Sequence, residues 1–277
     1  GYVKTGLRIA VNGVFGNLGV ASAALLTGYL VDQSGWRSAF IWPGLVTIVI
    51  GVGYAFLVAR GHSKEPSADE GEASPATAIA GNLQLGRNLL IRIFAIVFFS
   101  TAVGSLVFQS TTFSLPKIFD ERLGDLAISA TLVGWYAFVV FAIASMGQLV
   151  VGYLLDRFSI KAIFVGVAIF QVVFFLAMIG RVGSIALLIS IAFMLVVFGQ
   201  IPINDVLVGR VTKTEWRSRA YGLRYVIGFT VMASAVPMVA WIYARWSFDV
   251  LFIVLAAAGA GILIAVMMLP RQLASKA

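Results

Sequence analysis

The chain has 277 residues, of which 60% are hydrophobic and only 12% charged, with a formal net charge of +8. An ordinary soluble domain carries about 25% charged residues, so a soluble globular fold is excluded. With no cysteine, a disulfide framework, an iron–sulfur cluster and a thiolate zinc site are excluded as well.

In chain order the apolar spans are expected at 7–31, 39–58, 89–115, 126–155, 160–180, 184–208, 220–244 and 248–269. Each reaches the ~20 residues that carry a helix across a hydrocarbon core. Lipid offers no water to backbone N–H and C=O groups, so the spans are expected to be helices. The predicted fold class is therefore an all-α membrane protein with eight transmembrane helices.

If the N-terminus is cytoplasmic, Lys4, Arg8, Arg60, Lys64, Arg157, Lys161, Arg210, Lys213, Arg217, Arg219, Arg224 and Arg271 are among the inside charges. Arg37, Lys117, Arg122, Arg181 and Arg245 are outside. The bias of about three to one fixes a multi-pass topology with both termini of this chain cytoplasmic. The basic excess thus reports orientation, and no nucleic-acid partner is expected. The expected partners are the lipid bilayer and a small-molecule substrate.

The first span carries a narrow stripe of Asn12, Gly16, Gly19 and Ala23, which reads as a helix-packing seam because small residues let helices approach closely. Between Arg60 and Arg87 lies the one long hydrophilic stretch, Pro-, Gly-, Ser- and Glu-rich. It reads as a flexible cytoplasmic linker, with a small helix near Ile79–Leu85. The expected division is 1–59, two helices of one bundle; 60–88, the linker; and 89–277, a six-helix bundle.

In the third span Thr101, Ser105, Gln109 and Thr112 fall within an arc of about 80° at 100° per residue. A polar stripe is costly against lipid, so it is expected to face a cavity or a neighbouring helix. Pro116 is expected to end this span. On the sixth, Gln200 and Asn204 share a face by i,i+4 spacing, and Pro202 frees a backbone carbonyl. These six polar residues are the candidate substrate-binding set. Asp205, nearer the end of the span, reads either as a gating group or as an interfacial charge paired with Arg210 or Arg224. Pro237 interrupts the seventh span, and Pro270 follows the eighth.

Two short echoes suggest an internal repeat. Gly6-Leu7-Arg8 opens the first span and Gly222-Leu223-Arg224 the seventh, and Ser34 to Phe40 is echoed by Trp246 to Phe252. If the repeat unit is six helices, residues 89–269 hold one complete unit. The first two spans then end an earlier one. The chain begins at Gly1 rather than at a methionine and is expected to be a fragment lacking four helices at its start.

Between the fourth and fifth spans stands Gly152-Tyr153-Leu154-Leu155-Asp156-Arg157-Phe158-Ser159-Ile160-Lys161. This run resembles the G-x-L-x-D-R-x-[GS]-x-[RK] loop of the major facilitator superfamily, found after the second helix of each six-helix unit. Asn12 to Gly19 and Gly35 to Gly44 look like the fifth helix and following turn of bacterial members. The resemblance implies the last two helices of an N-terminal bundle, a complete C-terminal bundle, and secondary transport by alternating access. It also implies a bacterial inner-membrane location, a monomer when full-length, and possible coupling to protons. The family's antiporter signature has a Gly-Pro step that is absent from the first span, so proton-driven export is not implied by it.

Asp156, with Arg157 and Lys161, reads as a gating latch. A carboxylate at the end of one helix can cap the positive N-terminus of a helix in the other bundle, and here it is expected near the start of the first span, beside Lys4–Arg8. The same cluster also reads as a topological anchor. Arg224 and Asp205 complete the gating set.

No carboxylate pair, metal-ligand cluster or phosphate loop stands out, so no metal, cofactor or catalytic residue is expected. A polytopic transferase would need such a constellation, and the lone His62 lies in the linker. Export of drugs and import of organic anions or other nutrients both stand at this point. Sparse charge in the spans favours a neutral or amphipathic solute.

Overall fold

The computed structural model describes residues 5–60, 87–212 and 217–269. Among these, eight α-helices and one 3-10 turn occur and no strand. They are α1 (Thr5–Ser34), α2 (Ser38–Ala59), α3 (Arg87–Arg122), α4 (Ala130–Leu155), α5 (Ile160–Ala177), α6 (Gly183–Val211), α7 (Arg217–Arg245) and α8 (Phe248–Met267). All eight are long and apolar enough to cross a membrane. The linker with its expected short helix at Ile79–Leu85, Lys4 and Pro270 lie outside the described residues.

Local chemistry sets several helix starts. Ser129, Ser159 and Ser247 hold extended backbone before α4, α5 and α8. Their hydroxyls accept from the N–H groups of Leu132, Ala162 and Asp249 at 3.2, 3.3 and 3.2 Å. Each satisfies a donor that the first turn would otherwise leave unpaired.

Pro116 does not end the third helix. α3 continues through it to Arg122, because Leu115, Ile118 and Phe119 are fully buried there. One lost backbone hydrogen bond is outweighed by that packing. Pro202 and Pro237 likewise lie inside α6 and α7. α5, expected to reach residue 180, stops at Ala177, and Gly180 turns the chain with φ 68°.

Helices α3 to α8 pack as one cluster, with α4 on α6, α3 on α7 and α5 on α8. Two apolar cores stack along it. Phe119, Phe141, Phe175, Phe193 and Phe252 fill one, and Ile93, Leu155, Phe164, Leu207 and Ile262 fill the other.

α1 lies antiparallel along α4, and the extended contact of α2 is with α1. The α1 side of the seam buries Ala10, Val14, Asn17, Ala21 and Gly28. A Cβ on Gly28 would stand 2.3 Å from the Ala130 carbonyl oxygen, and one on Gly134 would stand 2.6 Å from that of Ala24. Backbones therefore meet here at a separation that only glycine permits.

The expected packing stripe lies on a different face of α1 from this seam. Asn12, Gly16, Gly19 and Ala23 are exposed, and a Cβ on Gly16 or Gly19 would have nothing within 4 Å. Each stripe residue stands two places beyond a seam residue, and two places turn a side chain about 200° round a helix. Small residues occupy both faces of α1, and the other face packs on α4.

Candidate solute cavity and helix-end carboxylates

A cavity of about 180 Å³ lies between α3, α6 and α7. Thr101 and Ser105 of α3, Gln200 and Asn204 of α6 and Arg224 of α7 supply its polar lining, and Phe108 and Phe229 are among its apolar walls. These residues converge because each helix presents an i,i+4 pair or its equivalent toward the common axis. Gly104 and Gly228 keep the space open: a Cβ on Gly104 would stand 2.8 Å from Gln200 Nε2, and one on Gly228 would stand 3.1 Å from Ser105 Oγ.

Four of the six expected binding residues thus meet. Gln109 and Thr112 do not line this cavity. They follow Ser105 by about one and two turns, so the α3 stripe runs past the cavity rather than stopping at it.

Arg224 and Asp205 form an ion pair through Nη1 and Oδ1. The Arg224 side chain is 10% exposed and that of Asp205 21%. Tyr221 donates its hydroxyl proton to the Asp205 carbonyl at 2.7 Å, tying α7 to α6 beside the pair. Arg224 is thus one partner of Asp205; the side chain of Arg210, the other arginine weighed for it, lies outside the described residues.

Behind the cavity stands a residue not singled out from the sequence. Gln171 of α5 is fully buried, and its Nε2 donates to Gln200 Oε1 at 2.7 Å. A lone glutamine in an apolar span must find a partner, which was the available signal, but its sequence neighbours do not name that partner.

The α1–α4 pair carries a carboxylate at each end. Asp156, directly after α4, accepts from the Leu7 N–H in the first turn of α1 at 3.2 Å. At the opposite end Asp32, near the close of α1, accepts from Ala130 N at 3.3 Å and Thr131 N at 2.6 Å in the first turn of α4. The Thr131 hydroxyl donates to Asp32 as well.

Asp32 escaped the sequence reading. A carboxylate in the last turn of a helix opposes its own helix dipole. That mismatch is the sign that it serves another helix.

The companions of Asp156 divide. Arg157 is exposed and its guanidinium lies 4.3 Å from the centre of the Tyr153 ring. Lys161 Nζ donates to the Met267 and Leu269 carbonyls at 2.8 and 2.5 Å. A cation at a helix C-terminus is favourable, so Lys161 fastens α8 to α5 within one cluster.

Among the described residues no group of three or more His, Cys, Asp or Glu could hold a metal ion. Curated proteins include no match to this chain. The sequence profile of the Major Facilitator Superfamily matches residues 3–124 and 122–276, nearly the whole chain. With eight apolar helices and buried polar groups gathered between them, the chain belongs to the Major Facilitator Superfamily, a family of membrane transporters.

Proposed function

We propose that this protein is a secondary carrier that moves a small organic solute across a bacterial inner membrane by alternating access. Helices α1 and α2 belong to one lobe, α3 to α8 to the other, and residues 60–88 join them on the cytoplasmic side. The observation that carries this reading is the α1–α4 seam with a carboxylate cap at each mouth.

By the positive-inside rule the Asp156 end is cytoplasmic. Opening that end parts Asp156 from Leu7 and leaves the Asp32 cap intact; opening the other end does the reverse. With both caps made the pair is closed on both sides. Each cap is a modest helix-end contact, suited to biasing a two-state equilibrium without freezing it. The solute sits in the α3–α6–α7 cavity, and Asp205, paired with the lining residue Arg224, is the carboxylate best situated to couple proton movement to it.

Counterflow in reconstituted vesicles tests this. Vesicles preloaded with unlabelled solute are expected to accumulate labelled solute transiently, without ATP, and a pH gradient is expected to alter the rate. Flux that rises linearly with concentration and shows no exchange would discard the carrier.

A further inference from the structure

Thr101 Oγ1, Gln200 Nε2, Asn204 Oδ1 and Arg224 Nε are all buried without a hydrogen-bond partner. All four residues line the same cavity and are at most 8% exposed. Buried polar groups in native proteins are ordinarily satisfied. Four orphans around one space mark the outline of a guest.

Donors dominate that outline. The Arg224 guanidinium gives Nη1 to Asp205, which leaves Nε free. Gln171 occupies Gln200 Oε1, which leaves the amide nitrogen of Gln200 free. The Thr101 hydroxyl can donate as well. A planar guanidinium edge beside further donors matches the two oxygens of a carboxylate. Apart from Ser105 and Tyr225, the rest of the wall, including Phe108, Val197, Phe229 and Met232, is apolar and suits a short hydrocarbon or aromatic body.

We infer that the cavity selects a small monocarboxylate, its carboxylate held by Arg224 Nε, Gln200 Nε2 and Thr101 Oγ1 and its apolar body among the phenylalanines. This rests on the reading of the cavity as the solute site. Of the neutral or amphipathic solute suggested by sparse span charge, it takes the amphipathic one, because the Asp205 contact leaves Arg224 Nε unspent.

Binding to the purified protein in lipid nanodiscs tests the inference without requiring flux. Benzoate and butyrate are compared with benzamide and butyramide, which keep the shape but lose the charge. The carboxylates are expected to bind at least tenfold more tightly than their amides. Thr101→Val removes a hydroxyl that has no partner, so the fold is expected to keep its thermal midpoint while benzoate affinity falls about tenfold. Arg224→Gln is expected to erase the preference for acid over amide; if it fails to fold, Thr101→Val decides. Amides binding as well as acids, or benzoate affinity unchanged in Thr101→Val, would overturn the site. Carboxylate binding without counterflow of any solute would sink the carrier and leave this site standing, whereas counterflow indifferent to carboxylates would do the opposite.

Discussion

Asp32 and Asp156 stand at opposite ends of one antiparallel helix pair, and each caps the helix to which it does not belong. A carboxylate at the end of its own helix is disfavoured by that helix's carbonyl groups. Both acids therefore gain most when α1 and α4 lie side by side with their ends matched. The glycine contacts at Gly28 and Gly134 hold the middle of the pair by shape, and the acids hold its ends by charge.

Removing one cap should open one side only. Asp156→Asn keeps the size of the side chain and removes its charge. A loss of about 0.3–1 kcal/mol corresponds to a two- to fivefold rise in the cytoplasm-open population. Asp32→Asn should raise the opposite population. The chain lacks cysteine, so a single Ile201→Cys in the cavity wall reports access to an impermeant maleimide added from either side. Equal labelling changes from the same side in both variants would refute the paired caps.

The seam itself makes a stability prediction. Gly28→Val would drive a branched side chain into the Ala130 carbonyl, and Gly134→Val would meet that of Ala24. Overpacking of this kind costs about 1–3 kcal/mol, and each variant should lose thermal midpoint in detergent. Gly16→Val, with open space at its Cβ position, should not. A Gly16 variant as damaged as Gly28→Val would place the seam on the other face.

How much of this could be read from the residues depended on what imposes the pattern. Lipid dictates the spans, so length and apolarity located all eight, and the Asp156 loop was found through its resemblance to the family's loop. The face that α1 buries was not legible, because Gly16 and Gly19 on one side look as well suited to packing as Gly13 and Gly28 on the other. Pro116 misled because a local rule yielded to burial of Leu115 and Phe119. The Gln171–Gln200 contact joins residues on different helices, and nothing in either local sequence specifies that choice. Asp32 was legible in principle, through its unfavourable place on α1.

The Asp205–Arg224 pair separates folding from recognition. Removing one partner of a buried pair leaves an uncompensated charge and costs about 3–5 kcal/mol, so Asp205→Asn should lower the thermal midpoint. Replacing both partners, Asp205→Leu with Arg224→Met, should recover most of that loss, because apolar residues of similar volume are tolerated where a pair once stood. The double variant should nevertheless bind no carboxylate. Recovery of binding along with stability would remove Arg224 from recognition.

Arg122 closes the far end of the six-helix cluster. Its Nη2 donates to Asp249 Oδ1 at 2.7 Å and its Nη1 to the Met178 carbonyl at 2.8 Å, while Asp249 also accepts from Gly180 N at 2.8 Å. One side chain thus joins the end of α3, the turn after α5 and the start of α8. Its side chain is 10% exposed, whereas that of Asp249 is 37% exposed, so solvent screens part of the ion pair. The hydrogen bond to the Met178 carbonyl is separate from that pair, and Arg122→Ala should cost about 1–3 kcal/mol. Arg122→Lys should recover less than half of it, since an ammonium is a compact point charge rather than a fork able to reach both partners. Because the residue lies in neither the cavity nor the α1–α4 seam, counterflow by the Arg122→Ala protein that remains folded should keep the solute preference of the parent. A changed preference would mean that this end of the bundle shapes the cavity.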